Sequence, residues 1–246
     1  MTTQRRFRFA LWPTLFTVPA VLLMLGFSVW QLERLSWKED LLAKLHTRTT
    51  AQPVSMAQLS GKPDEDEYRQ VRLRGHFDHG HELDLIARSL NGNVGYQIVT
   101  PFVLDDGSGA VLVNRGWVPD DKRDPASRAQ GQVEGTTEVV GIVRQSQKPG
   151  WITPDNDPAK NVWLYVDVPA MLKAANVAKA ASPYWIAAGD APNPGGLPIG
   201  GQTRIDLPND HLQYAITWFA FAVTLTVIYL IYSRKLALKE QGGEGS

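Results

Sequence analysis

Two stretches of this chain carry no charge at all: Phe9 to Leu32 and Leu212 to Ser233. A bilayer core is crossed by ~20 apolar helical residues, so each stretch predicts a membrane-spanning element. Backbone polar groups in lipid must bond within their own segment, which makes both elements helices. The first block has a second reading, a cleaved signal peptide. Signal cores run ~7–15 residues and end in small side chains. This block ends in the bulky "GFSVWQLERLSWK", which predicts an uncleaved anchor. Only residues 1–8 precede it, too short a lead for a mitochondrial transit peptide. Beyond it, Leu35, Leu42 and Leu45 fall near one face at helical spacing, so the first helix continues past the apolar block as an amphipathic one. "HTRTTAQPVS" breaks it, and "GKPDEDE" reads as a solvated loop.

From Tyr68 the period changes from helical to alternating. "YRQVRLRGHF" and "HELDLIARS" read as strands. "NGN" is a hairpin signal, "GYQIVTPFVL" a further strand, "DDGSG" a turn and "AVLVNRGWVP" a strand, together an antiparallel meander. "TTEVVGIVRQ", "NVWLYVDV" and "YWIAA" are strand candidates. "PAMLKAANVAKA" is a short helix opened by proline, and "GDAPNPGGLPIGGQ" is irregular. The fold class is therefore a membrane protein, α+β: two transmembrane helices form a hairpin anchor for a mainly antiparallel β domain. The boundaries are a tail at 1–8, a span at 9–32, an outer domain at 33–210, a second span at 211–233 and a tail at 234–246.

Charge orients this picture. Arg5, Arg6 and Arg8 precede the first block, and Arg234, Lys235 and Lys239 follow the second. Basic flanks stay cytoplasmic, so both termini are expected inside and the central domain outside. Aromatic residues agree: Trp12, Tyr229 and Tyr232 belong near the inner face, Trp30, Tyr214 and Trp218 near the outer. Lys and Arg number 25 against 25 Asp and Glu, which argues against a nucleic-acid partner. The chain has no cysteine, so disulfides, thiolate metal sites, iron–sulfur clusters and covalent haem attachment are excluded.

Four groups could carry chemistry. His211, Tyr214, Ala215 and Trp218 share a helix face at the mouth of the second span, with Asn209 or Asp210 placed to cap it. An ionisable residue beside a span is a functional candidate, and neutral imidazole is a common axial ligand of haem iron. The alternative is an interfacial belt that sets span depth. His76, His79 and His81 with Asp78 have metal-ligand spacing, although a straight strand would turn His76 away; a solvated strand end is the plainer reading. Val111, Val113, Arg115 and Trp117 fall on one strand face, and a buried arginine there needs a carboxylate, from the domain itself or from a ligand. Arg34, Trp37 and Lys38 lie just past the first span, where basic residues anchor or snorkel. Gly26 and Trp30 mark a place where the second helix could approach closely. No hydrolase, zinc-protease, phosphate-loop or dinucleotide signature is present, so the chain is not expected to be an enzyme.

Five stretches in order, "LGFSVWQLERLSWKEDLL", "YRQVRLRGHFD", "GYQIVTPFVLDDG", "VLVNRGWVP" and "NDHLQYAITWF", resemble the Surfeit locus protein 1 family, bacterial type. The resemblance covers both ends and residues 68–119 and is weakest from Asp120 to Thr203. It implies an assembly factor for haem–copper cytochrome c oxidase in the bacterial inner (cytoplasmic) membrane, with a periplasmic domain. It implies non-covalent, transient binding of haem a and a hand in its insertion into subunit I. The implied partners are cytochrome c oxidase subunit I, the haem a synthesis enzymes and the lipid bilayer. In the bacterial members the histidine opening the second span is taken as the haem ligand, here His211. The family often has two asparagines before it; this chain has Asn209 and Asp210. The patterns Trp30, Gln31, Arg34, Trp37, Lys38 and Asn114, Arg115, Gly116, Trp117 match as well. The expected haem site comprises His211 on iron, Tyr214 or Trp218 as a wall, Trp30 beside them, and Arg34, Lys38 or Arg115 within reach of the propionates. Two other readings stay open: a scaffold that clamps subunit I or the haem a synthesis enzymes without binding haem, and a copper-handling factor using His76, His79 and His81.

Overall fold

The computed structural model describes residues 10–203 and 209–243. Arg5, Arg6 and Arg8 and the 1–8 tail lie outside the described residues, as does the side chain of Lys239. The chain divides into two compact units, Met1–Lys44 with Asp206–Ser246, and Leu45–Ile205.

The first unit is a pair of long helices, most of α1 (Leu11–Thr50) and α4 (His211–Gly243). Both are long and apolar enough to cross a membrane, and only 6% and 11% of their most apolar windows are buried. Leu15, Phe16, Leu22, Leu23, Ile216 and Phe219 point outward. What the helices bury is small: Ser28, Ala215, Ala222 and Ser233. That is the packing expected where lipid is as apolar as leucine and backbones associate by close approach. Ser28 Oγ donates to the Ala215 carbonyl at 3.0 Å, Thr14 and Tyr229 hydroxyls meet at 2.5 Å, and Phe27 packs on Trp218 with centroids 5.0 Å apart. Gly26 is not the approach point expected from the sequence. A Cβ built on it would meet nothing within 4 Å, and Ser28 and Ala215 make the contact instead.

The second unit is a mixed sheet of β1 (Gln70–Phe77), β2 (Leu83–Leu90), β3 (Asn93–Leu104), β4 (Ala110–Pro119), β5 (Thr137–Arg144) and β6 (Ala180–Ala188) in the order β1-β5-β6-β4-β3-β2. β1 also pairs β3, which closes β1, β5, β6, β4 and β3 into a ring. β1 and β2 lie along the same edge of β3, pairing its two halves, and the chain steps between them through a 3₁₀ turn at His79–His81. Closure removes exposed strand edges. Gly75 permits it, since a Cβ there would sit 2.0 Å from the Val103 carbonyl oxygen. The pairing is antiparallel except between β4 and β6, which run parallel, so the expected meander covers only β2, β3 and β4. The two-residue hairpin Asn91–Gly92 has positive φ at both positions, as its sequence predicts.

The ring encloses Val71, Leu73, Phe102, Val111, Val113 and Ile186. A second layer, with Leu85, Val99, Leu112, Trp163 and Met171, lies on the other side beneath α3 (Val168–Ala174). β4 serves both layers and is buried at nearly every position. Its alternation breaks at Arg115. Asn114 faces Val99 but Gly116 faces Ile98, so Arg115 is an extra residue in a bulge. Gly116 has φ +119, and a Cβ on it would overlap the Ile199 carbonyl oxygen at 1.9 Å. The bulge corrects the single face read from the sequence. Trp117 shares the side of Leu112 and Asn114, opposite Val111 and Val113.

Two loops also differ from expectation. "NVWLYVDV" is not a strand and makes two isolated bridges, Leu85 to Trp163 and Asp157 to Val162. Side chains take the bonds a neighbouring strand would: Asn156 Oδ1 accepts from Leu164 N at 2.8 Å, and Gln147 Oε1 accepts from Val166 N at 3.0 Å. The "GKPDEDE" stretch is not simply solvated. It holds the short helix α2 (Pro63–Asp66), and Asp66 is fully buried. Burial alone would raise its pKa, but bonds from Ser60, Gly61 and Tyr184 outweigh that and hold it low.

Candidate functional site

α4 opens at His211, and the Asp210 carbonyl accepts the first helical bond, from Tyr214 N at 3.1 Å. The Asn209 side chain makes no cap: its Oδ1 is buried with no hydrogen-bond partner among the described residues. The half-buried His211 ring turns toward α1, where its Nδ1 lies 2.7 Å from Gln31 Oε1. An amide oxygen only accepts, so Nδ1 donates, and in the neutral ring Nε2 then offers its lone pair. This is the tautomer that ligating histidines adopt, held by an outer partner on the other nitrogen.

Trp218 stands two turns into α4, stacked near Phe27 and edge-on to Phe221 at 6.2 Å. Tyr214 and Trp30 are exposed, and Arg34 lies 4.0 Å over the Trp37 ring. The residue that sequence reading left without a role is Gln31. Its signal was an amide near the end of an otherwise apolar block.

Lys38 lies on α1 in the same unit, and the other sequence candidates lie in the barrel unit. Arg115 is 1% exposed and donates to Glu82 Oε1 at 3.4 Å, to the Gly131 carbonyl and to Asn193 Oδ1 at 3.4 Å, with Phe77 beneath its guanidinium at 4.6 Å. Arg128 grips the same carboxylate, Nη2 to Oε2 at 2.5 Å and Nη1 to Oε1 at 3.4 Å. Burial would raise the Glu82 carboxyl, yet hydrogen bonds from His79 and Arg128 and the charges of Arg128 and Arg115 hold it at about 2. Burial also pulls Arg115 down, to about 10. The carboxylate that Arg115 required is thus Glu82, which the sequence reading did not single out. His79 completes the cluster. Its Nε2 donates to the Val133 carbonyl at 3.0 Å, and its Nδ1 lies 3.3 Å from Glu82 and 3.4 Å from Arg115. His81 pairs with Asp78 at 2.8 Å, and His76 is exposed on β1. The three histidines do not converge, and among the described residues no group of three or more His, Cys, Asp or Glu is placed to hold a metal ion.

Comparison with known proteins gives this arrangement its context. The SURF1 family model matches residues 17–223, from within α1 to the middle of α4. The chain belongs to the SURF1 family. Its similarity to Surfeit locus protein 1 of Xenopus tropicalis is 37% identity over 91% of this chain and 76% of that one. Surfeit locus protein 1 of Homo sapiens is 36% identical over 83% of this chain and 72% of the human one, and a SURF1-like protein of Drosophila melanogaster is 36% identical over 87% and 75%. The family match spans the His211–Gln31 pair and the whole barrel, including the stretch from Asp120 to Thr203 where the sequence motifs were weakest.

Proposed function

We propose that this chain is an assembly factor for haem–copper cytochrome c oxidase that binds haem a through His211 and assists its insertion into subunit I. The observation that carries this reading is the Gln31–His211 contact at 2.7 Å, which in the neutral ring places the proton on Nδ1 and leaves the Nε2 lone pair to ligate. The donor set suits iron: one neutral imidazole, no thiolate, beside helices whose apolar faces accept a lipid-like tail worth ~0.8 kcal/mol per buried CH₂. Bound there, haem would supply a Lewis-acidic iron, and His211 would be the residue that holds it. Trp218, Tyr214 and Trp30 offer ring surface and Arg34 a cation for a propionate. The bacterial inner membrane, cytoplasmic termini and a periplasmic barrel complete the reading, supported by the basic flanks and by two helices able to cross a membrane. The haem a synthesis enzymes are its expected suppliers.

A scaffold that binds no haem is favoured by one fact. Arg115 is already committed to Glu82, Gly131 and Asn193 and so is not waiting for a propionate. Co-expression with the haem a synthesis enzymes, purification and pigment analysis separates the two. The carrier reading expects haem a retained by the parent, lost in His211→Ala and reduced about 10- to 100-fold in affinity in Gln31→Leu, the usual cost of removing an outer partner. A colourless parent protein that still binds subunit I supports the scaffold.

A further inference from the structure

A cavity of about 180 Å³ opens in the barrel unit, lined by Leu85, Arg88, Gln97, Gln147, Val166 and Trp185 among others, with neither Glu82 nor Arg115 in its lining. Arg88 reaches it through a second bulge. Leu85 pairs with Gln97 but Arg88 with Gly95, so one extra residue separates them, and Ala87 takes a left-handed conformation with φ +55. Plain alternation would set residue 87 beside Leu85; the bulge sets Arg88 there instead. An alanine is strained in that conformation.

Arg88, half-buried, differs from the paired arginines of the barrel. Arg115 and Arg128 share Glu82, Arg123 pairs with Asp84, and Arg144, on the same cavity, pairs with Glu67. Among the described residues Arg88 has no carboxylate. Nη2 donates to the Leu164 carbonyl at 3.0 Å, and Nε is buried with no partner. Burial, opposed by no neighbouring acid, lowers its pKa. Among the described residues no acid lines the cavity. Three of the four amides around it have spent an acceptor on the protein; Gln202 instead spends its –NH₂, on the Gly200 carbonyl at 3.0 Å. Gln97 Oε1 accepts from Asn114, Asn114 Oδ1 from Gly116 N and Gln147 Oε1 from Val166 N, while the –NH₂ groups of Gln97 and Gln147 have no acceptor among the described bonds. The result is an excess of donors around one uncompensated cation.

We infer that this cavity binds a small organic monocarboxylate, its carboxylate on Arg88 and the side-chain amides, its short apolar body against Leu85, Val166 and Trp185. One unmatched positive charge calls for a monoanion, and the apolar wall favours an organic acid over inorganic phosphate. The site is independent of the haem reading.

The test is calorimetric titration of the purified full-length protein with sodium butyrate, with 1-butanol and sodium phosphate as the other arms, in parallel with ¹⁹F NMR of fluorotryptophan-labelled protein in which Trp185→Phe assigns the Trp185 signal. Butyrate is expected to bind one per chain and shift that signal, butanol and phosphate to bind at least tenfold more weakly. Arg88→Met is expected to weaken butyrate by at least about tenfold, the loss of one charge-assisted bond. Should that variant fail to fold, Arg88→Lys, which keeps charge but not the planar fork, is expected to bind more weakly than the parent. No heat and no Trp185 shift with 50 mM butyrate, equal affinity in the Arg88 variant, or tighter binding of phosphate or butanol would each overturn the site.

Discussion

The helix pair and the barrel bury opposite things. The barrel takes Arg115, Arg128 and Glu82 out of water among valines and leucines. The helix pair hides Ser28, Ala215, Ala222 and Ser233 and turns its leucines and phenylalanines outward. Each unit is ordered for its own surroundings. In water, apolar area drives burial, and a charge is admitted only with a partner. In a lipid-like surrounding that driving force would be absent, and small residues with carbonyl bonds would decide the contact. The chemistry follows the same division. The barrel locks its charges together, whereas the helix pair holds one imidazole by one nitrogen and leaves the other unspent.

The largest test of this contrast is Glu82→Gln. It strands two guanidinium groups that are each about 1% exposed, and a loss of about 3–5 kcal/mol is expected in a denaturant melt. A change under 1 kcal/mol would mean that the cluster is not what holds β2 to the bulge in β4. Acid probes the same carboxylate. Its pKa falls from 4.5 to about 2 on folding, so its contribution is complete above about pH 4.5 and lost as pH drops toward 2. That contribution is about 3 kcal/mol. Asp84, raised by burial despite its bond to Arg123, works the other way and offsets part of it. Stability of the barrel measured from pH 6 to 2 should fall, and Glu82→Gln should flatten that slope.

On the helix side, Ala215→Leu should cost about 1–3 kcal/mol by overpacking the contact with Ser28, read as a lower melting temperature of the detergent-solubilised protein. Gly26→Leu, at an open position, should be nearly silent. The smallest effect belongs to Lys62→Ala. Its pair with Glu65 is fully hydrated, and a change within ~0.5 kcal/mol, vanishing at high salt, is expected.

The two units were unequally legible. Charge-free runs need no partner to be recognised, so both long helices are visible in the sequence, and alternation with "NGN" gives β2 and β3. What the sequence hid depends on single backbone displacements. The bulge at Arg115 moves Trp117 across the sheet, and the one before Arg88 turns that arginine inward; neither leaves a hydrophobic period to read. Partners distant in the chain were equally hidden. Glu82 meets Arg115 and Arg128 only when β2, β4 and the 125–131 segment converge, and Gln31 meets His211 across 180 positions. The missing strand at Asn161–Val166 has a local cause, side chains from Asn156 and Gln147 taking the ladder's place.

The account rests on His211 Nε2 as the ligand of haem iron. Electron–nuclear double resonance on co-purified protein, labelled with ¹⁵N-histidine and held with ferric haem, reads that bond directly. One imidazole nitrogen coupled to iron in the parent and absent in His211→Ala is the expected result; the same coupling in both proteins, or no haem in the parent, would contradict it.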